Sequence, residues 1–208
     1  MEKWMSKSLC EFNNQLGSES PTPGGGAAAS VMASISAALL LMVVDLSPED
    51  SGLKEIRDDL KEWLSYSHEL IDEDCEGYQY VVEALNLSGD NDEEMQKKRR
   101  ELEKSYKKAC HPPEKLLEVS LNILKSAGEI AEKGNENAWT ETVIAGMMSF
   151  NAVKASYYNV ILNCCYISDD NFSKEKVEKA QKHLQEAKKL NEELESYLHE
   201  EVIKCEYL

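Results

Sequence analysis

From Ala27 to Val44 the chain carries no charged residue, and Asp45 closes the run at once. The run is built from Ala, Ser, Val, Ile, Leu and Met without two-residue alternation, which predicts a buried helix reaching about Leu46. Before it, Trp4, Leu9, Phe12 and Leu16 trace a rough 3.6-residue face, so Lys3–Leu16 reads as a short amphipathic helix ended by Gly17 and Ser18. After it, Ser47-Pro48 reads as a cap and first-turn proline. Glu49 to Leu87 reads as one long helix or two joined ones. Its stripe runs through Leu53, Ile56, Leu60, Trp63, Leu64, Leu70 and Ile71, and continues as Cys75, Tyr78, Val82 and Leu85.

Ser88-Gly89-Asp90-Asn91 is a turn and cap for a strongly charged helix, Asp92–Ala109, whose few apolar positions are Met95, Leu102 and Tyr106. His111-Pro112-Pro113 breaks that helix, and the prolines start the next, through Leu116, Leu117, Leu121 and Leu124, which Gly134-Asn135 ends. Asn137–Ile167 is again apolar and aromatic. A turn at residues 168–171 precedes Ser173–Leu208, an amphipathic helix with Val177, Leu184, Leu190, Leu194 and Leu198. No segment alternates as a strand would. The pattern predicts an all-α, multihelical single domain over residues 1–208, with about six or seven helices, several of them long. Two largely apolar helices need covering, so a helical dimer interface is expected. Ala27, Ser30, Ser34 and Ala38 are small enough to let another helix approach closely.

Charge narrows the classes. Among 208 residues, 23 Lys and Arg face 39 Asp and Glu, a net charge of −16. A nucleic-acid or anionic-membrane surface needs a basic face, so neither partner is expected. The apolar run borders on membrane-spanning length, but Ser30, Ser34 and Ser36 dilute it and no positive cluster flanks it, which favours a core or interface helix. The six cysteines form no Cys-x-x-Cys pair, and Cys164 and Cys165 are adjacent. Without a secretory signal, reduced thiols in a cytoplasmic protein are the expectation.

Three places hold candidate chemistry. The first is Ser20-Pro21-Thr22-Pro23-Gly24-Gly25-Gly26, where prolines stiffen and glycines loosen the approach to the apolar helix. It is either a tight turn before a core helix or a loop whose open helix N-terminus holds an anion or a polarised carbonyl. The second is residues 70–78. Residues two apart on a helix point nearly opposite ways, so Asp72 and Asp74 do not share a face. Asp72 lines up with His68, Glu76 and Gln79. Asp74 lines up with Ile71, Tyr78, Val81 and Leu85 at the edge of the apolar stripe, where desolvation pushes a carboxylate pKa upward. Such a group is a candidate general base or a partner for a cationic intermediate, or else a solvated carboxylate at the rim. The third is Asn159 and Asn163, stacked amides that either bond another helix or recognise a ring with amide and amine edges, with Tyr157 or Tyr158 beside it. No Ser-His-Asp arrangement is visible. His68 and Asp72 alone lack the further ligands of a metal site, so no metal is expected, and the cysteines read as core fillers.

In order along the chain, the turn from Ser20 to Ala27, the segment from Leu70 to Tyr78, the Pro113-initiated helix, Glu132–Ala138, Tyr158–Asn163 and Ser168–Phe172 together resemble the cyclodeaminase/cyclohydrolase family of one-carbon folate metabolism, which includes the C-terminal domain of formiminotransferase-cyclodeaminase. The resemblance spans nearly the whole chain. It implies an all-helical homodimer with a folate site near the glycine turn and the acidic helix. It also implies that Asp74, the second aspartate of an Asp-x-Asp motif, is the proton acceptor, the same residue that the helical wheel singles out. The implied reaction closes 5-formimidoyltetrahydrofolate to 5,10-methenyltetrahydrofolate with release of ammonia. The alternatives are the methenyltetrahydrofolate cyclohydrolase reaction and a folate-binding or scaffold protein without activity. Pro23, Gly24, Gly25, Gly26, Asp72, Tyr78, Asn159 and Asn163 are the expected substrate contacts, and Lys97 and Lys98 the basic pair for the glutamate tail. Three departures stand out: the acidic stretch Ser47–Gly52 where the family carries basic residues, Thr140-Glu141 in place of a Ser-Asp step, and Gly77 where alanine is usual.

Overall fold

The computed structural model describes residues 3–206; of the side chains at 198, 200–202 and 204–206 nothing is said, so the readings of Leu198, Cys205 and the last helical residues lie outside the described residues. Seven α-helices follow one another: α1 Leu9–Leu16, α2 Gly25–Asp45, α3 Lys54–Leu85, α4 Asp92–Ala109, α5 His111–Lys133, α6 Trp139–Cys164 and α7 Asp170–Glu206. Short 3-10 turns at Trp4–Ser6 and Glu136–Ala138 precede α1 and α6. The described residues form an all-helical bundle without strands, as the pattern predicts.

The apolar run becomes the centre of this bundle. α2 packs against α3, α5 and α6. Ala29, Ala33, Ala37 and Leu40 are fully buried on it, and Ser36 donates to the Ala145 carbonyl of α6 at 2.6 Å. A buried serine on a helix must find an acceptor, and here it fixes the register of α2 against α6. The close-approach seam is therefore Ala29, Ala33, Ser36 and Ala37 together with the expected Ala27, Ser30 and Ser34, whereas Ala38 faces outward. Length and composition would let α2 cross a membrane, yet 56% of its most apolar window is buried within the fold.

Local signals set the other ends. Ser8 and Glu11 form a reciprocal capping box on α1, so the amphipathic segment predicted from Lys3 divides into the 3-10 turn and an eight-residue helix. Asn91 accepts from the Glu94 amide and caps α4. α3 runs unbroken for 32 residues. Its start corrects one expectation: Ser47-Pro48 does not cap it. The chain loops from Leu46 to Leu53, and the Ser47 hydroxyl instead donates to Val43 and accepts from the Asn135 amide. α7 is held on α5 by Glu114 and Glu118, which meet Lys176 and Lys179 at 2.6–3.0 Å.

Candidate active site

α2 begins without a cap of its own: Gly24 occupies the N-cap position and has no side chain to accept from the first amides. α3 supplies the acceptor. Asp74, midway along α3, takes the Ala27 amide on Oδ2 at 3.0 Å, across 47 residues of sequence. The N-terminus expected to be open is thus answered by the carboxylate singled out on the helical wheel. The two candidate regions are one site.

The glycines serve this meeting unequally. None of Gly24, Gly25 and Gly26 has a left-handed backbone; Gly52 is the glycine with positive φ among the described residues. Turn conformation is therefore not what the triple glycine provides. A β-carbon on Gly25 would meet nothing within 4 Å, and one on Gly24 would touch only the Pro21 carbonyl at 3.9 Å. A β-carbon on Gly26 would overlap the Asp74 carboxyl group. Gly26 is bare so that Asp74 can reach the helix end, and Pro23, joined to Thr22 by a cis peptide bond, is buried beneath the turn.

Burial pushes the Asp74 carboxyl up to about 6, and the Ala27 amide pulls in the opposite direction. Burial is the larger effect, so the group titrates close to neutrality. This is the range in which a carboxylate accepts a proton from a reacting nitrogen and also returns it. Next to it, burial first and then the Asp74 charge push the Cys75 thiol up to about 12, which leaves Cys75 a neutral filler beside Ile71, Phe12 and Ala27.

Asp72 does something different. Its Oδ1 accepts the Trp4 amide at 2.9 Å, holding the first 3-10 turn against α3. Trp4 then packs edge-on to Phe12, with centroids 5.7 Å apart. Beside the substrate contact expected of it, Asp72 therefore has a structural role through Oδ1.

Tyr78, one turn beyond Asp74 on the same face, is 46% exposed, and Leu85 further along that face is 47% exposed. The stripe expected to be core is therefore split over this half of α3: Cys75 and Val81 are buried, while Tyr78 and Leu85 form an exposed apolar flank beyond Asp74. The paired asparagines separate. Asn163 donates from Nδ2 to the Ala109 carbonyl at 2.8 Å, tying α6 to the end of α4, so helix-to-helix bonding accounts for it. Asn159 lies one turn earlier, half-buried. The Ser36–Ala145 and Asn135–Ser47 bonds make α2 and α6 antiparallel, which sets the first turn of α2 level with residues 153–156, just before Asn159. Asn159 is thus at the Asp74 end of the bundle.

Lys97 and Lys98 lie away from Asp74. Lys98 donates to the Leu87 carbonyl at 2.8 Å, just past the C-terminus of α3, and Lys97 is exposed beside it. Eleven positions separate Asp74 from Leu85, roughly 16 Å along the helix. The acidic departure at Ser47–Gly52 and the Thr140-Glu141 pair lie at the other end of α2, about 30 Å from Asp74 within the chain, where Asn135 ties Leu46 and Ser47 to the start of α6. Gly77 meets Ala109 of α4. An added β-carbon there would sit 3.4 Å from its Cα, so the alanine usual in the resembled family is a close but ordinary fit. Two residues not among the site candidates also join the flank: Tyr106 and Tyr166 stack with centroids 4.6 Å apart and planes 14° from parallel. Among the described residues no three His, Cys, Asp or Glu side chains converge as a metal site would require.

With this geometry in place, comparison with known proteins adds a second line of evidence. The sequence pattern of the formiminotransferase-cyclodeaminase family matches residues 8–198. A methenyltetrahydrofolate cyclohydrolase of Methylorubrum extorquens is 30% identical over 88% of this chain and 91% of that protein. The formimidoyltransferase-cyclodeaminase of Mus musculus is 26% identical over 88% of this chain, which spans only 35% of that longer protein. In three dimensions, a formiminotetrahydrofolate cyclodeaminase from Thermotoga maritima covers 95% of the chain with a TM-score of 0.84 at 24% identity, showing the same fold.

Proposed function

The chain belongs to the formiminotransferase-cyclodeaminase family over residues 8–198, and from that premise we propose that it is a one-carbon folate enzyme that closes 5-formimidoyltetrahydrofolate to 5,10-methenyltetrahydrofolate and releases ammonia. The observation that carries the reading is Asp74: a half-buried carboxylate, held at the α2 N-terminus through the Ala27 amide and titrating at about 6.

In this mechanism N10 of the folate adds to the formimidoyl carbon while Asp74 takes the N10 proton. A C–N bond forms and an aminal results. Asp74 returns that proton to the former imino nitrogen, one further proton comes from solvent, and the C–N bond to ammonia breaks. The product is the methenyl cation, whose amidinium-like charge the Asp74 carboxylate balances once it has lost its proton again. Ala27 holds Oδ2, leaving Oδ1 as the oxygen for the transfer. Tyr78 and Asn159 border the space in which the reacting ring system would sit.

A second reading has its own support. The Methylorubrum extorquens relative spans nearly the whole chain, and its named reaction would use the same carboxylate differently. Asp74 would take a proton from water adding to the methenyl carbon and return it to N5 as the C–N5 bond breaks, while the hydroxyl proton leaves to solvent and the carbon becomes the formyl group of 10-formyltetrahydrofolate. Methenyltetrahydrofolate absorbance separates the two. Its appearance from the formimidoyl substrate supports the cyclodeaminase. Its accelerated loss in water, without turnover of the formimidoyl substrate, supports the cyclohydrolase. Neither change, together with no folate binding, would leave a scaffold protein.

Homodimerisation is part of the proposal. Ile35, Met42 and Leu46 at the surface of α2 and Ile144, Met147, Tyr158 and Leu162 on adjoining α6 form exposed apolar stripes that a second copy would cover. A reducing, cytoplasmic setting is supported by the free thiols of Cys10, Cys75, Cys110, Cys164 and Cys165.

A further inference from the structure

Beyond the exposed flank of α3 lies a cavity. Past Tyr78, a pocket of about 320 Å³ opens between Leu85 of α3, Arg99, Leu102 and Tyr106 of α4, and Tyr166 just after α6, with Arg100 at its edge. Arg99, Leu102 and Tyr106 follow 3-and-4 spacing, so α4 turns one face to this pocket. Its walls are largely apolar and aromatic, with Glu103 and Ser168 as further polar members of the lining. Tyr166, 57% exposed, offers the outer face of the Tyr106–Tyr166 stack. Burial, chiefly, and the nearby hydroxyls of Tyr166 and Tyr78 hold the Tyr106 phenol above its ordinary pKa, so it stays neutral, and the one carboxylate in the lining, Glu103, is paired with Lys107 at 3.2 Å.

The rim is cationic in an unusual way for this molecule. The chain has three arginines, Arg57, Arg99 and Arg100. Arg57 is engaged by Asp45 at 2.6 Å. The other two are adjacent at this pocket, and no ion pair to either is present among the described residues. The neighbouring lysines are committed elsewhere: Lys107 to Asp169 and Glu103, Lys108 over the Tyr80 ring and Lys98 to Leu87. In a chain of net charge −16, two uncommitted guanidiniums beside an aromatic shelf describe a receptor for a carboxylated aromatic group.

We propose that this pocket is the distal substrate subsite, in which Tyr166 and Leu85 take the benzoyl ring of the folate and Arg99 and Arg100 take the glutamate carboxylates. The assignment rests on the folate reading above and moves the tail contacts from Lys97 and Lys98 to the arginines. Asp74, Tyr78 and Leu85 follow one another along one face of α3, with the buried Val81 between the last two, so the reacting end and the tail end lie along the same helix. The arginines are positioning residues: they touch the substrate far from the reacting atoms, so their effect falls on binding.

The test is steady-state kinetics of the full chain on two substrates, the glutamylated folate and its pteroate counterpart lacking the glutamate. With Arg99→Ala/Arg100→Ala, KM for the glutamylated substrate should rise roughly tenfold to a hundredfold, the loss of one or two charge-assisted contacts, with kcat within about twofold. On the pteroate substrate the double variant should match the wild type. Tyr166→Ala should raise KM on both substrates. An unchanged KM for the glutamylated substrate in an active double variant, or an equal rise on both substrates, overturns the subsite while leaving the reaction assignment intact. Absence of turnover of either substrate by the wild type removes the folate reading itself, and the subsite with it.

Discussion

The carboxyl group of Asp74 stands where a side chain on Gly26 would have to be, and it takes the Ala27 amide from there at 3.0 Å. The clash is with a short side chain wedged against a helix end, not with a mobile tip that can swing away. Gly26→Ala should therefore displace Asp74 and lower turnover by at least about a hundredfold, with a stability loss of roughly 1–3 kcal/mol. Gly25→Ala, with open space around its β-carbon, should keep activity and gain up to about 1 kcal/mol from a less flexible unfolded chain. Side-by-side kinetics and urea denaturation of the two variants check this. Equal behaviour would mean that the triple glycine acts through flexibility.

If Asp74 transfers the proton, Asp74→Asn should lower kcat by about a hundredfold or more, with folate binding little changed, since an amide oxygen can still accept from Ala27. The wild-type rate should rise with pH through about 6 as the carboxyl ionises. Full turnover in the asparagine variant, measured with saturating substrate, would remove the assignment.

The same group fixes a stability trend. Its pKa in the folded state, about 6, lies above the value of 3.8 ordinary for aspartate. Between those values the folded chain keeps a proton that the unfolded chain has lost. The stabilisation is thus fully present below the lower value and disappears as pH rises through the upper one. Its size is at most about 3 kcal/mol. Asp74→Asn should flatten this part of the pH profile and be at least as stable as wild type at pH 8, as read by denaturant midpoints. A midpoint well below wild type at pH 8 would show that the charge itself holds α2.

Asp72 and Asp74 should separate cleanly. Asp72→Ala removes the acceptor of the Trp4 amide, so it should cost roughly 0.5–2 kcal/mol, as a lost helix cap does, and quicken protease cleavage before Leu9. Its kcat should remain within a few-fold of wild type. A kcat loss as large as that of Asp74→Asn would place Asp72 in the chemistry after all.

The asparagines should part in the same way. Asn163→Ala leaves the Ala109 carbonyl without its donor and should cost about 1 kcal/mol in stability with little change in KM. Asn159→Ala should leave stability nearly unchanged and raise KM several-fold. Denaturation and kinetics on the pair decide it, the reverse pattern being the refuting one.

Much of this was legible in the sequence because it is local. The charge-free run announced α2, Asn91 announced the start of α4, and helical spacing set Asp74 on the edge of the α3 stripe. What was not legible depends on distance. Whether a stripe residue is core or flank depends on what packs over it, so Tyr78 and Leu85 read as interior. Ser47 read as a cap because a serine before a proline is a local signal, while its true partner, Asn135, is 88 residues away. That Asp72 and Asn163 also bond backbone groups of distant segments could not be read from their own surroundings. The Tyr106–Tyr166 stack left no pattern to read, since its rings come from different elements and meet only in the fold.

A helix usually carries its cap in its own first residues. α2 has its cap 47 positions downstream, so during N-to-C synthesis this most apolar segment emerges well ahead of the group that completes it. Until residue 74 has emerged and α3 has turned back, the ribosome-bound chain holds an unfinished hydrophobic helix. The turn and the acid that later meet there exist only as separate pieces. No fragment ending before α3 can contain the site, and any assay of function in this chain is at the same time an assay of its completed tertiary structure.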